Sequence, residues 1–87
     1  MNNKHTVMQF PCSFPLKVMG YNAPEFPEAM LSVFERHMGR QQLSCARRES
    51  SGGKYLSLTV TFIASSREQL DAIYRELNSH PLVLMTL

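Results

Sequence analysis

Hydrophobic and polar residues alternate along most of this chain, and the period of the alternation divides it into elements. Phe14, Leu16 and Val18 take turns with Pro15, Lys17 and Met19, a period of two that predicts a strand ended by Gly20. Ahead of it, Phe10-Pro11-Cys12-Ser13-Phe14-Pro15 reads as extended chain, because each proline keeps its predecessor out of the helical region. Asn22 and Pro24 mark a turn. Phe26, Met30, Val33, Phe34 and His37 then recur at helical spacing, flanked by Leu31 and Met38. Pro27 suits a first helical turn, Glu25 and Glu28 suit the positive end of the helix dipole, and Gly39 is a natural stop.

Leu43, Cys45 and Arg47 alternate with Ser44, Ala46 and Arg48, a half-polar strand that belongs at a sheet edge. Glu49-Ser50-Ser51-Gly52-Gly53-Lys54 is a turn. Leu56, Leu58, Val60, Phe62 and Ala64 alternate with Tyr55, Ser57, Thr59, Thr61 and Ile63, the cleanest period of two in the chain. One face of that strand is apolar and the other mostly hydroxyl, as in a sheet covered on one side. Ser65-Ser66-Arg67-Glu68 fits a capping box and starts a second helix. Its apolar stripe is Leu70, Ile73, Tyr74 and Leu77, with Asp71 and Arg75 spaced to pair on the other side. Asn78 and Pro81 bound it. Leu82 to Leu87 form a last strand, apolar on both parities, so either Val83 and Met85 or Leu82 and Leu84 face outward.

The order is β-α-β-β-α-β. With right-handed crossovers, strand 1 pairs with strands 3 and 4, strand 2 lies at the edge beside strand 3, and both helices cover one face. The expected fold class is α+β: a ferredoxin-like two-layer sandwich with a four-stranded antiparallel sheet. Residues 10–87 form the single domain, and the polar residues 1–9 are expected to be a flexible tail. Cys12 and Cys45 then lie two strand spacings apart, roughly 9.5 Å, beyond the roughly 7 Å reach of a disulfide. Free thiols are expected.

Composition narrows the function. The chain has 87 residues and a net charge of +2, too mild for a dedicated polyanion binder. No apolar run approaches the roughly 20 residues that span a bilayer. The N-terminus lacks the hydrophobic segment of a secretory signal, so a cytoplasmic protein is expected, with no membrane partner. His5, His37 and His80 are scattered and no Cys-x-x-Cys occurs, so neither a metal nor a cofactor is expected. The Ser50–Lys54 turn lacks the full phosphate-loop pattern. On the outward face of the central strands only Tyr55 offers a ring, which argues against RNA stacking and so against a nucleic-acid partner.

Phe10-Pro11, Phe14, Lys17-Val18-Met19-Gly20, Arg36-His37, Ser50-Ser51 with Gly53, Tyr55 and Ser57 together resemble the YbeD-like family of small bacterial proteins. Glu68-Gln69, Tyr74, Glu76-Leu77, Val83, Met85 and Leu87 extend the resemblance over residues 10–87. It implies a fold like that of the regulatory ACT domain, which often binds amino acids at subunit interfaces. It also implies, by gene neighbourhood, a link to lipoate metabolism. It assigns no catalytic residues.

In ACT-like domains the loop after strand 1 helps to form an effector pocket. Lys17, Met19, Gly20, Tyr21, Asn22 and Tyr55 are therefore the candidate ligand- or partner-binding residues. Gly20 could take a positive φ and let a ligand approach, although Glu25 and Glu28 would repel an anion at the following helix, and the Asp-x-x-Gly turn of amino-acid-binding ACT domains is absent. The leading expectation is a non-enzymatic regulatory or protein-binding domain. It would act on a protein partner, or self-associate, through the open sheet face or an edge strand. A small-molecule sensor with an interface pocket for an amino-acid-like or lipoate-related metabolite is the alternative. An acylphosphatase-type enzyme ranks third, because strand 1 is not followed by the arginine that would hold phosphate.

Overall fold

The computed structural model describes residues 9–39 and 43–87. The tail expected over residues 1–9 lies outside them, Gln9 excepted. The elements are β1 (Cys12–Tyr21), α1 (Phe26–Met38), β2 (Ser44–Glu49), β3 (Tyr55–Ala64), α2 (Arg67–Asn78) and β4 (Val83–Thr86). The strands form one antiparallel sheet in the order β2-β3-β1-β4. This is the expected βαββαβ sandwich.

The core forms because every even-numbered residue of the central strands points to the helices. Leu16, Val18, Leu56, Leu58, Val60, Phe62 and Ala64 are buried against Phe26, Met30, Val33 and Phe34 of α1 and Leu70, Ile73 and Leu77 of α2. Phe62 packs edge-to-face with Phe14 and with Phe34 at centroid separations of 6.1 and 5.5 Å, and Phe14 meets Tyr74 at 6.5 Å. Such edge-to-face contacts are favourable beyond the area they bury.

A proline inside a central strand needs an explanation. Lys17 exchanges two backbone bonds with Leu87, N to O at 3.0 Å and O to N at 2.8 Å. Backbone groups alternate sides along an antiparallel strand, so the odd residues of β1 address β4 and the even ones β3. The missing N–H of Pro15 therefore falls on the outer side of β1, and the β1–β3 ladder loses nothing.

Three local expectations are corrected. The cap of α2 lies one residue later than expected: Ser66 Oγ accepts from Gln69 N at 3.0 Å, and Gln69 Oε1 accepts from Ser65 N at 2.8 Å. Among the described residues Asp71 and Arg75 form no ion pair; Glu76 instead pairs with Arg36 and lies within hydrogen-bond distance of the His37 ring. The parity of the last strand is mixed. Met19 faces Met85 while Gly20 faces Val83, so Leu84 is an extra residue in a bulge. Leu82 and Val83 pack on the core, and Leu84 and Met85 both turn outward.

Cys12 and Cys45 are free thiols. Their partners on β3, Ala64 and Val60, are themselves four residues apart, which adds roughly 13 Å along the strand to the two strand spacings between them.

Candidate functional site

The loop between β1 and α1 is closed by its own hydrogen bonds. Asn22 donates its backbone N–H to Lys54 O and its side-chain amide to Gly53 O, both at 2.9 Å, which ties the loop to the β2–β3 turn. Ala23 N donates to Tyr21 O at 2.8 Å and Phe26 N to Ala23 O at 3.0 Å. The start of α1 has no side-chain cap, and Pro27 removes one of its few free donors. Glu25 and Glu28 leave this helix end poorly suited to an anion.

Gly20 differs from expectation. The strand continues through it to Tyr21, its φ is not positive, and it is buried. A Cβ at Gly20 would lie 2.3 Å from Leu82 O and 2.4 Å from a ring carbon of Phe26. What approaches its backbone is thus the protein's own core. Of the six candidate residues, Gly20 faces inward and Asn22 serves the turn.

The other four come together on the open face of the sheet. The register sets Arg48, Ser57, Met19 and Met85 in one row across the strands, and Ala46, Thr59, Lys17 and Leu87 in the next. Tyr21 and Tyr55 are partners at one corner, with ring centroids 5.7 Å apart and Lys54 Nζ 5.5 Å from the Tyr55 centroid. Tyr21 adds a second ring where the sequence pointed to one, because β1 runs a residue further than expected. Tyr21 is 47% exposed, Met85 46% and Leu87 65%. Ser57 faces the same way yet is buried, being short and set between the long side chains of Arg48 and Met19.

Met85, Leu87 and Arg48 were not among the candidates. Arg48 was readable from parity alone. Met85 turns outward because it pairs with Met19, a register that the apolar residues on both parities of β4 conceal. Lys17 makes no ion pair among the described residues, so the face combines apolar side chains with an uncompensated cation.

His37, His80 and the two thiols have structural roles or none that the fold singles out, and His5 lies outside the described residues. His37 Nε2 lies 2.7 Å from Glu76 Oε1, and Arg36 binds the other carboxylate oxygen. The Arg36 guanidinium, then the His37 ring, holds the Glu76 carboxyl below the usual carboxylate range. His80 Nδ1 accepts from Leu82 N at 3.1 Å. Burial pushes the Cys45 thiol up, against the pull of Arg47, which disfavours a reactive thiolate. Among the described residues no three His, Cys, Asp or Glu gather as a metal site would need, and no helix is long and apolar enough to cross a membrane.

Known proteins share both sequence and fold with this chain. A UPF0250 protein of Paraburkholderia phytofirmans is 47% identical over 83 residues, covering 94% of this chain and 93% of its own. One from Chromobacterium violaceum is 44% identical over 87 residues, covering 99% and 98%. The solution structure of HP0495 from Helicobacter pylori superposes with a TM-score of 0.77 at 17% identity, covering 99% of this chain and 91% of that one, and so supports the fold alone. The model of the family described as "Protein of unknown function (DUF493)" matches residues 5–87. The chain therefore belongs to the DUF493 family, the YbeD-like group that its Phe-Pro and Lys-Val-Met-Gly segments resemble.

Proposed function

We propose that this is a non-enzymatic protein-binding domain that works through the open face of its sheet. The observation that carries the reading is the outward apolar run of Tyr21, Met19, Met85 and Leu87 beside Lys17, which makes no ion pair among the described residues. Isolated exposed apolar residues are ordinary, but contiguous ones on a flat sheet are the usual mark of a contact surface. Aromatic rings and methionines, which dominate here, are enriched at such surfaces. A partner presenting apolar side chains around one carboxylate would satisfy both the patch and Lys17.

The effector-pocket reading loses support from the loop. Its donors are spent on the β2–β3 turn, and the glycine that would admit a ligand is filled by Phe26.

The test places a photo-crosslinking amino acid at position 85 in producing cells and, as a control, at position 71 on the outer side of α2. A discrete adduct is expected from position 85 and none from position 71. The adduct should vanish with Tyr21→Asp, a change to an exposed residue that leaves the fold intact by circular dichroism. Equal adducts from both positions, or none from either, would refute the reading.

A further inference from the structure

We propose that the free edge of β2 takes up an extended, acidic segment of a partner protein as a fifth strand of the sheet. This edge shares Arg48 with the open face, but it is read from the backbone of β2 and does not depend on the function proposed for that face.

Among the described residues β2 ends the sheet, with β3 its one strand neighbour. Ser50 N donates to Tyr55 O at 2.9 Å where the hairpin closes. Since backbone groups alternate sides along an antiparallel strand, Ser44, Ala46 and Arg48 address β3 as Ser50 does. Cys45, Arg47 and Glu49 turn their N–H and C=O groups outward. The register is regular along the whole strand, without a bulge, and no proline interrupts it. All six side chains are exposed, on both faces of the sheet, so neither helix shields this edge. An edge of this kind is a template for pairing with another chain.

Charge selects the occupant. Arg47 and Arg48 are consecutive, so their guanidiniums lie on opposite faces of the sheet, and neither forms an ion pair among the described residues. Lys54 adds a third cation at the turn, and Glu49 is the one carboxylate on the strand. A strand laid along β2 meets one guanidinium above the sheet and one below, at neighbouring positions. The complementary segment therefore has two adjacent acidic residues among β-formers, each within cross-strand reach of its own arginine. A second copy of this chain lacks the adjacent acidic pair, and self-pairing centred on Arg47 sets like charges directly opposite.

The experiment uses the full chain labelled with ¹⁵N and the peptide Thr-Val-Thr-Glu-Glu-Val-Thr, with a Lys-Lys version as control. The acidic peptide is expected to shift the amide signals of β2. It should also slow hydrogen exchange at Cys45, Arg47 and Glu49, whose amides face solvent in the free protein. Ser44, Ala46 and Arg48, already bonded to β3, should change little. Arg47→Glu with Arg48→Glu should weaken the acidic peptide about tenfold and admit the Lys-Lys peptide. Cys45→Pro removes one outward donor without changing the charge and should weaken binding on its own. Several results would overturn the proposal: equal binding of the Lys-Lys peptide to the unaltered chain, shifts centred on Met19 and Met85, no shift at millimolar peptide, or self-pairing through β2. Equal shifts with oligothymidine would also overturn it, by reassigning the edge to nucleic acid.

Discussion

Gly20 and Phe26 compete for one volume. A Cβ on Gly20 would stand 2.4 Å from the Phe26 ring and 2.3 Å from the carbonyl oxygen of Leu82. The glycine is needed for space and not for an unusual φ. The ring could shift, but the Leu82 contact is backbone, and no rotamer change relieves it. Gly20→Ala is therefore expected to cost about 1–3 kcal/mol through overpacking. Thermal unfolding should show a midpoint roughly 5–20 °C lower. An unchanged midpoint would mean that β1 and the segment before β4 are further apart than described.

Neighbouring residues of β3 should respond in opposite ways to the same substitution. Val60 is wholly buried, and an aspartate there would be an uncompensated charge in the core. Val60→Asp is expected to cost more than about 3 kcal/mol and to leave the domain unfolded. Thr59 faces outward between Ala46 and Lys17. Thr59→Asp gains an opposite charge across the strand and should stay within about 0.5 kcal/mol of the parent. Urea denaturation separates the two, and equal losses would reverse the assigned facing of β3.

The start of α2 gives a test at single-residue resolution. Ser66→Ala removes the acceptor of the Gln69 N–H and should cost about 1 kcal/mol. Ser65→Ala and Glu68→Ala remove neither capping bond and should fall within about 0.5 kcal/mol of the parent. If Ser65 proves the more costly of the two serines, the cap sits where the Ser-x-x-Glu spacing had placed it.

That one-residue shift shows where the sequence is informative and where it stops. The alternation in β3 is decisive because one face meets the helices and the other meets solvent, so the period of two records burial directly. The same reasoning places Lys17, Met19 and Tyr55 on the open face. It fails at Ser65-Ser66 because both serines have an acid or amide three residues on, Glu68 and Gln69, and the helix entry angle decides between them. It fails at Gly20, where a glycine reads as a strand end while the use of its empty side is set by Phe26 in the next element. It fails at β4, where apolar residues on both parities hide the bulge that leaves Leu84 outward beside Met85 and turns Val83 to the core. Each of these depends on a partner residue elsewhere in the chain, which local periodicity does not contain.

Glu76 is such a long-range partner, and it makes stability depend on pH. Its carboxylate joins Arg36 and His37 across the interface of α1 and α2. The Arg36 hydrogen bond, followed by that of His37, lowers its pKa in the folded chain. The unfolded carboxyl titrates at about 4.3. A group with a lowered native pKa stabilises the fold fully above the unfolded value, and that contribution is lost as pH falls through the native one. The carboxylate is partly open to solvent, so the contribution is modest. Glu76→Gln is expected to cost about 0.5–1 kcal/mol at neutral pH. The gap between variant and parent should begin to close as pH falls below the unfolded value and be gone once pH lies below the lowered native one, where both proteins carry an uncharged group. Urea midpoints measured across that range check both sign and window. A gap that stays constant down to acid pH would show that Glu76 acts by packing its side chain between the helices, and the ion pair would then contribute nothing to their association.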